Sequence, residues 1–200
     1  MDELTLTHAA RRGDLQAFND LILANQDFLF SVAARILGDD EAAADVVQEA
    51  MLSAFRNFNS FRGGPLRHWL GRIVINACYD ELRRRNRHRT VALEALNEEG
   101  EEVGAAQWLA DPAPGPEQRY ETRELRRAAQ ACIQSLAPGY RTALILVDVE
   151  DRSYAEAAAL MGIPVNTLKS RLARARMGMV RQLRGFSDQL PAPFAERAFA

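Results

Sequence analysis

One stretch of this chain, residues 89–117, decides how the rest must fold. It holds Glu98-Glu99-Gly100-Glu101-Glu102 and Asp111-Pro112-Ala113-Pro114-Gly115-Pro116, and it has no helical periodicity. Closely spaced prolines remove backbone N–H donors, and an acidic run gains nothing from burial, so the segment is expected to be an extended linker. The chain is therefore expected to fold as two small units, 1–88 and 118–185, followed by a C-terminal tail, 186–200. On both sides of the linker apolar residues recur at helical spacing. No alternating Val/Ile/Tyr-rich strand bounded by turns stands out. The fold class that follows is all-α: two small helical domains joined by an acidic, Pro-rich linker.

Within the first unit, Leu15 to Leu37 reads as one long helix closed by Gly38. Asp39 or Asp40 can cap the next helix, which runs to about Phe55 and buries Val46, Val47, Ala50, Met51 and Ala54. An aromatic loop follows, with Phe55, Phe58 and Phe61 ahead of Arg62-Gly63-Gly64. Pro65 suits the first turn of a helix reaching about Asn86, with a core stripe of Leu66, Trp69, Leu70, Ile73, Val74 and Ala77. Trp69 and Phe55 are expected in the core. Helices are expected in the second unit near 117–135, 139–149, 153–161 and 164–184. Ser153-Tyr154-Ala155-Glu156 is a capping box, and Met161-Gly162-Ile163-Pro164 ends one helix and restarts another. Two helices joined by a short Gly-containing turn, the second one basic, form a helix-turn-helix.

Charge separates along the chain, although the net value is only −2. Residues 1–55 carry ten acids against three arginines, and residues 94–124 carry nine acids against two. Residues 67–89 carry seven arginines against Asp80 and Glu81, and residues 164–184 carry Lys169 and five arginines with no acid. Basic blocks of this kind mark nucleic-acid footprints, and their alternation with acidic blocks points to more than one partner. No stretch of 18 residues is free of charge, so no membrane-spanning helix or membrane insertion is expected. Met1-Asp2-Glu3-Leu4 lacks the basic start of a secretory signal, and the expected setting is the cytoplasm. Cys78 and Cys132 lack CxxC spacing and the three histidines are scattered, which leaves nothing for a zinc site or a disulfide scaffold. Both cysteines are expected to be core residues. No phosphate loop, HExxH or Ser/His/Asp set is present, so neither an enzyme, a cofactor nor a metal is expected.

Three surfaces remain to carry function. On the last helix Leu168, Leu172, Ala175 and Met179 form one stripe. Asn166, Ser170, Arg174 and Arg181 fall opposite, with Thr167 and Arg171 beside them. Such a face suits base edges and phosphates in a major groove. On the helix from 65, Arg72, Asn76, Tyr79 and Arg83 lie within about 60° of one another, next to an aromatic Gly-rich loop suited to unstacked bases. On the helix from 41, Asp45, Gln48, Glu49 and Leu52 form a polar stripe suited to docking a partner's helix.

These residues also carry a resemblance. Asp45-Val-Val-Gln-Glu-Ala-Met-Leu-Ser-Ala-Phe55, then Phe61-Arg-Gly-Gly and Trp69-Leu-Gly-Arg-Ile-Val-Ile-Asn76, resembles region 2 of bacterial RNA polymerase sigma factors of the extracytoplasmic-function (group 4) type. The run from Ser153 to Arg176 resembles region 4 of the same type. The resemblance spans about residues 10–185. It implies a sigma factor that binds core RNA polymerase through its clamp helices and flap, recognises promoter DNA and helps melt it. Under it, Asp45, Gln48, Glu49 and Leu52 would grip the clamp helices. Asn59, Ser60, Phe61, Arg62 and Gly63 would capture a flipped base of the minus-ten element, with Arg72, Asn76 and Arg83 on its recognition helix. Asn166, Thr167, Lys169, Ser170, Arg171 and Arg174 would read the minus-thirty-five element. Asp80 departs from the neutral polar residue expected on the minus-ten helix, and Ala173 is smaller than the aromatic some relatives carry. The resemblance further implies an acidic linker that threads the RNA exit path, and an anti-sigma factor that holds the protein inactive. The alternatives from other classes are a stand-alone helix-turn-helix repressor or activator binding a palindrome, and a pure polymerase-interaction protein.

Overall fold

The computed structural model describes residues 3–95 and 128–185, and all regular structure among them is helical. The first half contains α1 (Glu3–Arg11), α2 (Leu15–Leu23), α3 (Gln26–Leu37), α4 (Asp40–Arg56), a 3-10 turn (Phe58–Ser60) and α5 (Leu66–Ala95). The second half contains α6 (128–135), α7 (Pro138–Leu144), a π-turn (Ile145–Val149), α8 (Tyr154–Met161) and α9 (Val165–Gly185). The linker expected at 89–117 lies outside the described residues from 96 onward. Its first residues, to Ala95, continue α5 as helix. The tail from 186 also lies outside them.

The single helix expected from Leu15 to Leu37 is instead two, because the chain turns at Ala24-Asn25. Asn25 Nδ2 donates to the Leu21 carbonyl at 2.9 Å, and its own N–H bonds Ile22 rather than continuing the α pattern. A side chain competing for helix carbonyls is the usual reason Asn interrupts helices. The other boundaries follow their caps. Asp39 accepts from the Glu41 and Ala42 amides, and Gly38 closes α3 at φ 73°. Ser153 and Glu156 complete both bonds of the capping box, and Gly162 turns at φ 64° into α9.

In the first half, Leu29, Ile36, Leu66 and Leu70 are fully buried where α3, α4 and α5 pack together. Val47 and Met51, expected in this core, are only half-buried. Of the expected α5 stripe, Leu66, Leu70 and Val74 are buried, while Trp69, Ile73 and Ala77 are partly covered. Phe58 and Phe61 fill the aromatic cluster, with Trp69 5.7 and 5.5 Å from their ring centroids. Phe55 leans on Phe18 at 5.0 Å but keeps 38% of its surface exposed, so the core position expected for it belongs instead to Phe61.

The two halves pack directly on each other. A second face of α5, bearing Gly71, Ile75 and Cys78 at helical spacing, is buried as well. Gly71 lies against α8 so closely that a Cβ there would stand 2.5 Å from Leu160 Cδ2. Arg141, only 7% exposed, donates from Nη1 to the Ile36 carbonyl of α3 at 2.6 Å and from Nη2 to the Gln134 and Leu136 carbonyls. Gln134 Nε2 reaches the Arg35 carbonyl at 2.8 Å. After the π-turn, Glu150 accepts from Ser31 Oγ at 2.7 Å and pairs with Arg35 at 3.3 Å. The Phe28 ring is sandwiched between guanidiniums of Arg67 and Arg152, 4.6 and 4.9 Å from its centroid. Cys78 and Cys132 are free and buried, and burial pushes the Cys78 thiol up to about 12. That thiol stays protonated and unreactive.

Candidate nucleic-acid interface

The helix-turn-helix stands as the spacing predicts. Leu168, Leu172 and Ala175 are buried against α7 and α8, which fixes the roll of α9. That roll leaves Asn166, Lys169, Ser170 and Arg174 exposed and Thr167 and Arg171 half-exposed. Ser170 Oγ donates to the Thr167 carbonyl at 2.9 Å, and Arg174 Nη1 donates to Tyr140 Oη at 3.1 Å. Farther along, Arg176 grips Asp148 through two bonds of 2.6 and 3.0 Å, which ties α9 to the π-turn.

On α5, Arg72, Asn76 and Arg83 are exposed, with Tyr79 half-buried on the same side. Asp80 pairs with Arg83 at 2.7 Å, so the acid that departs from the expected pattern is spent on its neighbour. Arg72 lies over the helix-turn-helix turn, its guanidinium 3.0 Å from where a Cβ of Gly162 would be. The loop before α5 exposes Asn59, Ser60, Arg62 and Gly63, and Gly63 and Gly64 take φ of 101° and 88°, open to glycine and strained for other residues. Phe61 is different. Its ring is 4% exposed, and the Arg11 guanidinium donates to its carbonyl, so in this arrangement it supports the loop from beneath. Arg83, expected at the minus-ten element, thus faces Thr167, Ser170, Arg171 and Arg174, expected at the minus-thirty-five element, across a cleft between α5 and α9. The other expected residues lie outside its lining.

Asp45, Gln48, Glu49 and Leu52 are all exposed along α4, Leu52 at 52%. Gln48 and Leu52 line a groove of about 510 Å³ between α2, α3 and α4, while Asp45 and Glu49 stand on the same helix outside its lining. Its apolar walls include Leu15, Ile22, Phe30, Met51 and Phe55. The α2 and α3 side of this groove was not foreseen from sequence. Its only signal was apolar residues such as Leu15 and Phe30 lying off the buried stripe.

Residues 21–88 match Sigma-70 region 2, and residues 126–178 match Sigma-70, region 4. The chain is 36% identical over 182 residues to the ECF RNA polymerase sigma factor SigM of Mycobacterium tuberculosis, covering 90% of this chain and 83% of that protein. This chain is an extracytoplasmic-function sigma factor. It is likewise 34% identical over 184 residues to the ECF RNA polymerase sigma factor SigE of Mycolicibacterium smegmatis, covering 92% of this chain and 66% of that longer protein. Among solved structures it resembles the sigma factor RpoE of Bartonella quintana in complex with the anti-sigma factor NepR. That likeness has a TM-score of 0.62 and 25% identity, covering 85% of this chain and 98% of that one. The sigma factor is a transcription initiation factor rather than an enzyme: it binds core RNA polymerase and directs it to promoter DNA. Region 2 in the first half replaces the ligand or dimerisation domain that a stand-alone repressor would need.

Proposed function

We propose that this sigma factor docks on core polymerase through the α4 stripe and the groove beside it, and reads its promoter only after its two halves part. Asp45, Gln48, Glu49 and Leu52 would meet the clamp helices, with the apolar groove taking the hydrophobic face of a partner helix and the acids its basic flank. Region 4 would dock α9 in duplex major groove through Asn166, Thr167, Lys169, Ser170, Arg171 and Arg174. Region 2 would then trap unstacked bases with Asn59, Ser60, Arg62 and Gly63, helped by Arg72, Asn76 and Arg83. Opening of the duplex is driven by binding its single-stranded product. Phe61 joins this set only if the loop lifts it from the core.

The observation that carries this reading is the cleft itself. Arg83 and Arg171 line its opposite walls, and no double helix fits between α5 and α9. Control by an anti-sigma factor fits the same geometry, since a partner that clamps the closed halves would silence both surfaces. The RpoE–NepR complex supports that partner class. Residues 1–88 and 118–185 would be the working units, in the cytoplasm where polymerase is found.

Reconstituted transcription tests the proposal. Specific transcripts should require the sigma factor and fade with Asp45→Ala/Glu49→Ala. Arg171→Ala/Arg174→Ala should weaken duplex binding and flatten its logarithmic salt dependence by about two. An unchanged slope and affinity would remove α9 from the promoter.

A further inference from the structure

Closing the two halves builds something neither half has alone. The cleft between α5 and α9 has a volume of about 580 Å³. Tyr79 and Arg83 of α5 form one wall, Ser170, Arg171 and Arg174 of α9 the other, and Tyr140 of α7 joins them. None of its described lining residues is a carboxylate. Arg83 shares its charge with Asp80 outside the cleft, in a pair exposed enough to be weak. Arg174 has the neutral Tyr140 hydroxyl for a partner, and Arg171 stands over Gly139, 3.1 Å from where its Cβ would be. The Tyr79 hydroxyl is buried beside Thr142. Three guanidiniums facing one concavity raise its positive potential and repel one another until an anion enters.

The shape and chemistry of the cleft select the anion. Its volume is that of a small-molecule site. Guanidinium forks bind phosphate oxygens in pairs, and tyrosine rings offer faces on which a base can stack. The geometry points to a site for a phosphorylated small molecule, a nucleoside polyphosphate, bridging regions 2 and 4 in the closed sigma factor. Because its groups come from both halves, the ligand binds the closed form and favours it by mass action, about elevenfold at ten times its dissociation constant. It also covers Arg83, Arg171 and Arg174, which under the proposed function contact DNA. A nucleotide pool would thereby restrain promoter binding without an anti-sigma factor.

The test is calorimetric titration of the full chain with ATP, GTP and inorganic triphosphate at about 0.15 M salt. Saturable one-to-one binding is expected, weakened by about tenfold or more in Arg171→Ala/Arg174→Ala. Gly71→Leu supplies the second variant. It improves helix propensity within α5 while driving a side chain into Leu160 of the other half, so it should part the halves, abolish nucleotide binding and spare duplex binding. No saturable binding of any probe would overturn the site, as would binding that survives either variant. Tighter binding of ATP or GTP than of triphosphate assigns a role to the base. Equal binding assigns the site to the phosphate chain alone. If Arg171→Ala/Arg174→Ala loses duplex binding but keeps the nucleotide, the bridging site falls and the promoter assignment stands; the reverse result sinks the promoter assignment only.

Discussion

The core of region 2 and the seam between the halves are built from different materials. The core is aliphatic and aromatic: Leu29, Ile36, Leu66 and Leu70 interlock, with Phe58 and Phe61 beneath the loop. Along the seam, Arg141 reaches backbone carbonyls, Glu150 takes Ser31 and Arg35, and His68 lies 4.0 Å from Glu156. Apolar contact runs through the seam as well: Gly71 lies on Leu160, and the buried apolar residues of the two halves form one continuous cluster. Water can replace polar partners when a seam parts, whereas it cannot compensate an exposed aliphatic core. Under the proposed function, it is this polar share of the seam that would let the halves part while region 2 stays whole.

The comparison is broken most directly by Leu70→Ala. A cavity at this fully buried site should cost about 2–5 kcal/mol in urea unfolding, with helicity lost in one cooperative step. Arg141→Leu comes next. It strands the carbonyls of Ile36, Gln134 and Leu136, at about 1–3 kcal/mol for each that water does not reach. Energy transfer between dyes at Asn59 and Met177, both exposed, should report separation of the halves with helicity retained. Melting of the second half without separation would instead make Arg141 a core residue of region 4. Ser153→Ala should cost about 1 kcal/mol through loss of the α8 cap, read as thermal stability, without parting the halves.

The smallest effect is acid sensitivity. Glu81 is held low by its bond to Arg84 and, less, by Arg85. Burial pushes Asp39 up, but the Ala42 and Glu41 amides and Arg85 outweigh it and hold it low. A carboxyl lowered by folding stabilises the fold above its unfolded value, and that stabilisation fades as pH falls through the folded one. Arg85→Gln, which removes a partner of both, should raise the pH of acid unfolding slightly, as circular dichroism would show. No shift would make the pair a solvated surface feature.

What was legible in the sequence was local. The capping box of α8, the left-handed glycines at 38 and 162, and the α9 stripe each depend on neighbours within a few residues, so the spacing alone predicts them. The exposed polar faces of α5 and α9 were legible for the same reason, residue by residue. Their juxtaposition was not, because nothing in a periodic pattern says that Gly71 will lie against Leu160 of a distant half. Asn25 illustrates a finer limit. Apolar residues recur on both sides of the turn, and the bonds that mark it, from the Asn25 side chain to Leu21 and from its N–H to Ile22, leave no periodic trace. The exchange of Phe55 for Phe61 in the core has a similar cause: both sit at plausible positions, and the 3-10 turn at Phe58–Ser60 decides which ring points inward. Arg141 is hidden most deeply, since an arginine carries no sequence mark of the carbonyls it will satisfy.

The π-turn at Ile145–Val149 sets a phase. The Glu150 amide bonds Ile145, five residues back, so this turn holds one residue more than an α-helical turn would. Each residue advances an α-helix by about 100°. That surplus residue is what aims Glu150 at Ser31 and Arg152 at Phe28. Deleting one residue from Ile145–Val149 would give an ordinary helix with its hydrogen bonds intact, yet everything after it would be rotated out of register with α3. The chain's grip on itself therefore depends on a count, and a one-codon deletion could loosen it where many substitutions would not.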